Sequence, residues 1–310
     1  MRLDFLAALS GVLIAFQARA NGELSSRLGN GLEAALVSFG SGLVIIAIIS
    51  FFHPGIKSGL RRIQVAVRAG DLKRWRLLAG ALGGSFVAVQ TQIVPLIGVA
   101  IYSVASIAGQ TAVSLIVDRI GLTGGGKKLI SRRRIGAALV TVVAVLISVL
   151  DRIEARNLSL IAVSVGVLAG AIVGVQRALN GEINEHSKQS FTTSLFNFVT
   201  GTSLIIILLL TGAAIGKINI VTLPSGPWWI YTGGVIGVVY VAFTSTIVQH
   251  LGVLTFTLFS VGGQLVGSLL IDFYSPTQGV HVSTYLVTGI FMTYLGVVVG
   301  GASSSKLQKK

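Results

Sequence analysis

Residues 11–23 of the chain read GVLIAFQARANGE, and residues 170–182 read GAIVGVQRALNGE. At a shift of 159 positions, without a gap, the two stretches share their first glycine, a glutamine and an Asn-Gly-Glu triplet. Shared polar residues inside apolar segments rarely arise by chance, so the pair indicates an internal duplication. Since the second copy lies in the middle of the chain, we expect the first copy to belong to the mature protein, although it has the form of a signal peptide.

The duplication extends outward from this stretch over most of the chain. A shift of 159 relates the first two segments of each copy, and a shift of 154 relates the later ones. These shifts superimpose Ser38-Phe39-x-x-Gly42 on Asn197-Phe198-x-x-Gly201, Trp75 on Trp229, Gly80 on Gly234, Gly109-Gln110 on Gly263-Gln264, Ser114 on Ser268 and Asp118 on Asp272. We therefore predict two copies of one unit, residues 1–152 and residues 153–310, within a single structural body.

The composition places this duplicated unit in a membrane. Charged residues make up 11% of the chain and apolar residues 53%, whereas soluble proteins have roughly 25% charged residues. A bilayer core needs about 20 apolar residues for each helical crossing. Ten stretches meet this requirement, five in each copy: 3–22, 31–52, 77–94, 97–118, 134–151, 157–177, 191–212, 228–248, 251–272 and 282–301.

The positive charges predict how the two copies are oriented. Five crossings per copy is an odd number, so the copies must enter the membrane in opposite directions. With a cytoplasmic amino terminus, 19 of the 24 lysines and arginines fall on the cytoplasmic side, as the positive-inside rule requires. Loop 53–76 has seven of them, while its repeat partner, loop 213–227, has only Lys217. The prediction is an all-α integral membrane protein of ten transmembrane helices in two inverted five-helix repeats, with both termini cytoplasmic.

Glycine and proline positions predict local packing within these spans. Bends are expected near Pro95–Gly98 and near His250–Gly252, each between two helices of one long apolar run. A stripe of small residues at helical spacing on the sixth helix predicts close contact with a neighbouring helix. It consists of Gly166, Gly170 and Gly174.

Several classes of function are excluded by what the chain lacks. The net charge is +14, and the basic residues lie between the apolar segments. They therefore determine how the helices are oriented in the membrane and do not indicate nucleic-acid binding. There is no cysteine, which removes disulfides and thiolate chemistry. The four histidines, His53, His186, His250 and His281, are scattered without metal-ligand spacing. We expect no enzymatic activity, no catalytic residues, no metal and no cofactor.

Polar and aromatic residues inside the apolar spans are the candidate substrate-binding residues, because an unpaired polar group in hydrocarbon is costly. Most recur at equivalent positions of the two copies. The candidates are Gln17, Asn21, Ser38, Phe39, Gln90, Gln110, Gln176, Asn180, Asn197, Phe198, Thr244 and Gln264. They predict a polar, aromatic-edged cavity between the repeats. The alternative is that they only link helices through hydrogen bonds, each worth about 0.6 kcal/mol on average.

The acidic residues indicate which substrates to expect. The carboxylates in question, Glu23, Glu182, Asp118 and Asp272, fall at predicted helix ends. Asp118 and Glu23 have arginines nearby, which predicts ion pairs at the membrane interface. A carboxylate at the membrane centre is the usual device for coupling transport to protons or holding a cation. Without one at that depth, we expect a neutral, zwitterionic or weakly anionic small metabolite.

Together these motifs resemble the drug/metabolite transporter superfamily, and within it the YdcZ-like family in its fused, duplicated form. The resemblance rests on Gln17-x-x-x-Asn21, Ser38-Phe39-x-x-Gly42 and Gly109-Gln110 with Ser114 and Asp118, and it covers residues 3–301. It implies a carrier with ten helices in two inverted halves. In the related small multidrug-resistance proteins a glutamate of the first helix binds cations, whereas this chain has Gln17 in the matching region.

The expected function is therefore a secondary transporter of a small metabolite in a bacterial-type inner membrane. Inverted repeats give two arrangements of similar energy, so a site between the halves can open to either side in turn. Export is expected by analogy with the family. The protein is expected to be a monomer in the lipid bilayer, since the duplication supplies both halves. Two alternatives stay open: a membrane scaffold that transports nothing, and a translocase for lipids.

Overall fold

The computed structural model describes residues 3–122, 132–148, 150, 160–216, 218, 221–251, 253–276 and 282–307. Within these ranges the chain is helical and has no β-strand. Short 3₁₀ turns at Arg74–Leu78 and Trp228–Tyr231 each contain one of the two repeated tryptophans. The α-helices are α1 (Leu3–Leu28), α2 (Gly31–Phe52), α3 (Pro54–Ala69), α4 (Ala79–Ile97), α5 (Val99–Ile120), α6 (Arg132–Ser148), α7 (Leu160–Ser187), α8 (Ser190–Ala214), α9 (Gly233–Leu251), α10 (Val253–Tyr274) and α11 (Thr284–Leu307).

The chain is an all-helical membrane protein, as its composition predicts. Among the described residues, six helices are long and apolar enough to cross a bilayer by length and composition. They are Phe5–Leu28, Gly31–Phe52, Arg74–Ile97, Val99–Val117, Leu160–Ser187 and Ser190–Ala214. Two shorter apolar helices, Ala138–Ser148 and Gly233–Thr244, coincide with two further predicted spans. The count of ten crossings stays a prediction.

Helix α3 lies within loop 53–76, the connection between the second and third predicted spans, as a helix that the sequence does not predict. Pro54 stands in its first turn, where a missing N–H costs nothing, and Gly70 ends it with a φ of 84°. Ile56 and Ile63 are buried on one face, whereas Arg61 is exposed. Ile63 packs in one apolar cluster with Leu179 and Ile183 of α7, so the buried face of α3 covers the helix bundle. Its interspersed apolar and basic residues lower the average hydropathy, so the segment is not recognised when the sequence is searched for membrane spans.

Two helices are longer than predicted. Helix α1 continues to Leu28 and α7 to Ser187, beyond the expected ends at residues 22 and 177. Glu23 and Glu182 therefore lie inside helices and not at helix ends. The Asn-Gly-Glu triplet does not stop the helix, because ion pairs stabilise both glutamates there.

The expected bend between α4 and α5 is confirmed. Pro95 lies in the last turn of α4, and Gly98 adopts a φ of 83°, which favours glycine. The carboxylate of Asp272, from α10, accepts hydrogen bonds from the N–H groups of Val99 (3.3 Å) and Ala100 (2.7 Å). This buried side chain caps the start of α5, a role that the sequence does not reveal. In the second copy α9 ends at Leu251 and α10 begins at Val253, and Gly252 lies outside the described residues.

The main helix contacts join one copy to the other in matching pairs. Helix α1 packs most extensively on α10, and α5 on α7. In the first pair a Cβ on Gly11 would overlap the backbone of Ser260, and one on Gly263 would overlap that of Ala8. The second pair repeats this arrangement: a Cβ on Gly170 would overlap the backbone of Ser106, and one on Gly109 that of Val167. The predicted glycine stripe on α7 is thus confirmed as a packing surface.

Candidate functional site

The centre of the candidate site is an aromatic pair formed by equivalent residues of the two copies. The rings of Phe39 and Phe198 are buried, with their centroids 5.3 Å apart. A Cβ on Gly42 would overlap the ring of Phe198, and a Cβ on Gly201 would overlap the ring of Phe39. Residue 39 thus faces 201 while 42 faces 198, so α2 and α8 cross in opposite directions.

On one side of this pair lies a first amide cluster, made by α1, α4 and α9. The Gln17 side chain donates to the carbonyl of Gly233 at 2.7 Å, and that of Asn21 donates to the Gln90 side chain at 3.2 Å. A Cβ on Gly233 would overlap Asn21 Oδ1 and lie 2.6 Å from the hydroxyl of Ser38. Gly233 therefore leaves the space that the amides fill.

A second amide cluster lies on the other side, made by α7, α8 and α4. Gln176 donates to Asn197 Oδ1 at 2.8 Å, and Asn197 donates to Asn180 Oδ1 at 2.6 Å and to the carbonyl of Thr193 at 3.0 Å. A Cβ on Gly83 would overlap the Gln176 amide, just as Gly237 in the other copy lies against Gln17. The two clusters thus follow the same plan, with Ser38 in the first at the position of Asn197 in the second.

The two clusters differ in how completely their polar atoms are satisfied. In the first, the buried atoms Asn21 Oδ1 and Gln90 Nε2 have no hydrogen-bond partner among the described residues. Leaving a buried polar atom unpaired costs about 1–3 kcal/mol. In the second, the three amides bond to one another. The first cluster can therefore accept a new polar partner at lower cost than the second.

Gln110 belongs to a third polar group, in which its main partner is an arginine. Arg177, in α7, donates to Gln110 Oε1 at 2.6 Å and to the hydroxyl of Tyr240 at 2.7 Å. Arg177 is the last residue of the sixth predicted span, 157–177, but in the structure α7 continues for another ten residues to Ser187. The repeat alignment already distinguishes Arg177 from the other polar residues, because the matching position in the first copy, Ala18, is apolar.

The two remaining candidates lie apart from the amide clusters. Thr244 donates to the carbonyl of Val241 in its own helix at 3.2 Å. Gln264 is buried in α10, and its backbone lies against Gly11 of α1. Within the described part of the chain, no hydrogen bond joins either side chain to the two clusters. Of the adjacent polar run on α4, Gln90 and Thr91 are buried whereas Gln92 is exposed.

Glu23 and Glu182, inside α1 and α7, both form ion pairs. Glu23 pairs with Arg19 at 3.0 Å and with Arg27 at 2.8 Å, which confirms the predicted pairing. Glu182 pairs with Arg76, beside Trp75, and so links the two copies. The side chain of Asp118 lies outside the described residues.

A cavity of about 660 Å³ lies away from the amide clusters, between α1, α10 and α11. Its walls are almost entirely apolar and include Phe259, Phe291 and Tyr294. At the two clusters the amides are bonded to neighbouring helices, and the phenylalanine pair lies beside them. Whether these amides bind a substrate stays a prediction.

Comparison with known proteins gives a family and a fold. A family model described as "Putative inner membrane exporter, YdcZ" matches the chain twice, over residues 3–147 and 161–299. No curated protein matches. Nine chains of solved structures do, and one of them, described as "Crystal structure of protein", is 14% identical with a TM-score of 0.58. That match covers 98% of this chain and 97% of the other, so the two share a fold over their whole length.

Proposed function

The chain belongs to the YdcZ family of inner membrane exporters, with the family segment present twice, and from this premise we propose that it is a secondary transporter working by alternating access. Its substrate is a small neutral or zwitterionic metabolite, and the net direction is export. The substrate binds between the halves 1–152 and 153–310, at the two amide clusters. One chain suffices, because the duplication supplies both halves.

The observation that carries this proposal is the reciprocal contact of Phe39 with Gly201 and of Phe198 with Gly42. Equivalent helices that cross in opposite directions are what an inverted repeat requires. The helix contacts on the two sides of the phenylalanine pair are alike. Tilting one half against the other therefore replaces one set of contacts by a similar set, with little change in free energy. The buried site is then exposed first to one face of the membrane and then to the other.

The first amide cluster supplies the groups that would bind a neutral or zwitterionic substrate. Asn21 Oδ1 is an acceptor and Gln90 Nε2 a donor, and both are buried and unpartnered among the described residues. A substrate with one donor and one acceptor can form hydrogen bonds with both atoms. These bonds offset the free-energy penalty of leaving the two atoms buried and unpaired. Rigid amides that are already oriented also reduce the entropy cost of binding.

The inverted topology predicts opposite accessibility for two loops that are equivalent in the repeat. The chain has no cysteine, so single cysteines can be introduced at Arg61 and at Thr222, which are both exposed. In spheroplasts, a membrane-impermeant thiol reagent should label Thr222→Cys from outside and Arg61→Cys only after lysis. Labelling of both from the same side would contradict the inversion, and labelling of both after lysis serves as the control.

The transport function is tested by flux through proteoliposomes. Vesicles are loaded with a defined mixture of amino acids, sugars, nucleosides and organic acids, and release is followed by mass spectrometry against protein-free vesicles. The double variant Asn21→Leu with Gln90→Leu should lower the flux about tenfold or more, since the substrate loses a hydrogen bond to each amide, worth about 0.5–1.5 kcal/mol. Gln92→Leu is the matched control at an exposed amide. Wild-type protein that releases nothing beyond protein-free vesicles would indicate a scaffold.

The apolar cavity supports one alternative function, a lipid translocase. Three of its lining side chains, Val266, Val287 and Phe291, are exposed on the outer surface, where an acyl chain could enter. The amide clusters are not part of its wall. Proteoliposomes that contain a fluorescent phospholipid distinguish the two functions. Protein-dependent exposure of the inner-leaflet label to dithionite would favour the lipid translocase over a metabolite carrier.

A further inference from the structure

Arg177 occupies an unusual place for a charged side chain. Its guanidinium joins three helices, since Arg177 belongs to α7, Gln110 to α5 and Tyr240 to α9. Two of its five N–H donors are used in these bonds, while its Nε is buried without a partner among the described residues. The two bonds hold the guanidinium plane in place and leave three donors free.

Arg177 and its partner Gln110 both lie well inside their helices, far from the helix ends. Gln110 is at the midpoint of the 22-residue helix α5, which puts it about 16 Å from either end of that helix. Arg177 itself is about 15 Å before the end of α7. Charged side chains at such depth are rare in membrane proteins, face the interior or a water-filled cavity, and mark the path of substrates or ions.

No carboxylate balances this charge within the part of the chain that the structure describes. The ion pairs there use Arg19, Arg27 and Arg76. The partners of Arg177 are a neutral amide and a neutral hydroxyl. The side chain is part-buried, but its Nε is buried and its bonded partners are neutral, so an anion bound there would supply the interaction that the buried N–H lacks.

The duplication shows that packing does not require the charge. Gln110 and Gln264 are equivalent and both are glutamine, but the positions that match Arg177 and Tyr240 are Ala18 and Phe86. Ala18, Phe86 and Gln264 are buried. The same helix contacts are therefore built once with an arginine and a tyrosine and once with apolar residues. The arginine and the tyrosine are present in one copy only, so they serve a role that packing does not explain.

We propose that Arg177, held by Gln110 and Tyr240, binds the carboxylate group of the transported molecule. The proposal rests on the function proposed above and narrows its substrate class, neutral or zwitterionic metabolites, to zwitterions that carry a carboxylate. Carboxylate geometry matches a guanidinium edge through two parallel hydrogen bonds. The unpartnered Nε and the neighbouring terminal nitrogen of Arg177 provide such an edge.

The test measures carboxylate binding without requiring transport. Purified full-length protein is titrated with acetate and, separately, with acetamide, at constant ionic strength, and Tm is followed. We expect acetate to raise Tm of the wild type while acetamide of the same size does not. R177Q should lose the response to acetate, and R177K should bind it about tenfold more weakly, since lysine lacks the planar fork. R62Q is the control, because Arg62 is exposed and also bonds to neutral groups.

A second readout separates binding from a structural role. Without acetate, R177Q should have a Tm close to that of the wild type, because glutamine can still donate to Gln110 and the lost charge has no carboxylate partner among the described residues. Y240F should fold and bind acetate more weakly. Equal responses to acetate and acetamide in the wild type, or equal responses to acetate in R177Q and R62Q, would overturn the proposal. If acetate binding depends on Arg177 but proteoliposomes show no flux, the binding site is supported and the transport function fails. If wild type and R177Q carry the same flux, the transport function is supported and the role of Arg177 in binding the substrate is refuted.

Discussion

Leucine at Asn197 is expected to abolish substrate flux and to lower the thermal stability of the protein. Asn197 is 2% exposed and holds the second amide cluster together through Gln176, Asn180 and the carbonyl of Thr193. Leucine is of similar size but can neither donate nor accept. The buried amide of Gln176 and the part-buried amide of Asn180 would lose their partner, at up to about 1–3 kcal/mol each.

The consequence for transport is larger than the consequence for folding. If the two halves exchange arrangements, the cluster must break and re-form in each cycle, and Asn197 is the residue through which its bonds pass. We expect flux to fall by about two orders of magnitude, which corresponds to losing two such groups in the conducting states. Flux is measured in proteoliposomes with a metabolite that the wild type carries, and Tm in detergent.

The matched control comes from the duplication itself. Position 38, the equivalent of Asn197, is serine, so Asn197→Ser introduces the residue that the first copy uses at this place. It keeps one donor and one acceptor and should retain a substantial part of the flux. Leucine and serine variants with the same flux as the wild type would show that the cluster is not part of the transport path.

Alanine at Gly170 is expected to destabilise the folded protein by about 1–3 kcal/mol, the usual cost of overpacking. The added Cβ would overlap the backbone carbonyl of Ser106 in α5. A flexible side chain could move aside, but a helix backbone cannot do so without separating α5 from α7. That contact joins the two halves, so its loss should lower Tm and favour unfolding or aggregation.

The same substitution at Gly40 is the control for Gly170→Ala. Gly40 lies within α2, and a Cβ there meets nothing within 4 Å. Because alanine is the better helix former by about 1 kcal/mol, Gly40→Ala should leave Tm unchanged or raise it. Thermal unfolding of both variants in one detergent gives the comparison. Equal Tm values for the two variants would contradict the close approach of α5 and α7.

The duplication made much of this architecture predictable. Residues that align in the repeat, such as Gly109 with Gly263 and Phe39 with Phe198, occupy matching contacts in the structure. The reason is that a repeated sequence satisfies the same packing requirement twice. The bend at Gly98 was likewise predictable, since a proline followed by a glycine interrupts a long apolar run.

Residues whose role depends on a distant partner were not predictable in the same way. Asp272 was expected at a helix end, but only the fold brings it to the start of α5, where it accepts two backbone bonds. Arg177 was placed at the end of a predicted span, because hydropathy does not show how far a helix continues beyond its apolar part. Helix α3 was missed because its buried face is narrow and its opposite face is basic.

The sequence alone determined the membrane class, the duplication and the set of polar residues inside apolar spans. These follow from composition and periodicity, which act locally and do not depend on which helix packs against which. Only the tertiary structure decided how the amides are paired, which of them lack partners, and where the arginine of the second copy lies. Hydrogen bonds between helices depend on distances of a few tenths of an ångström between residues far apart in the chain, and no local pattern encodes those distances.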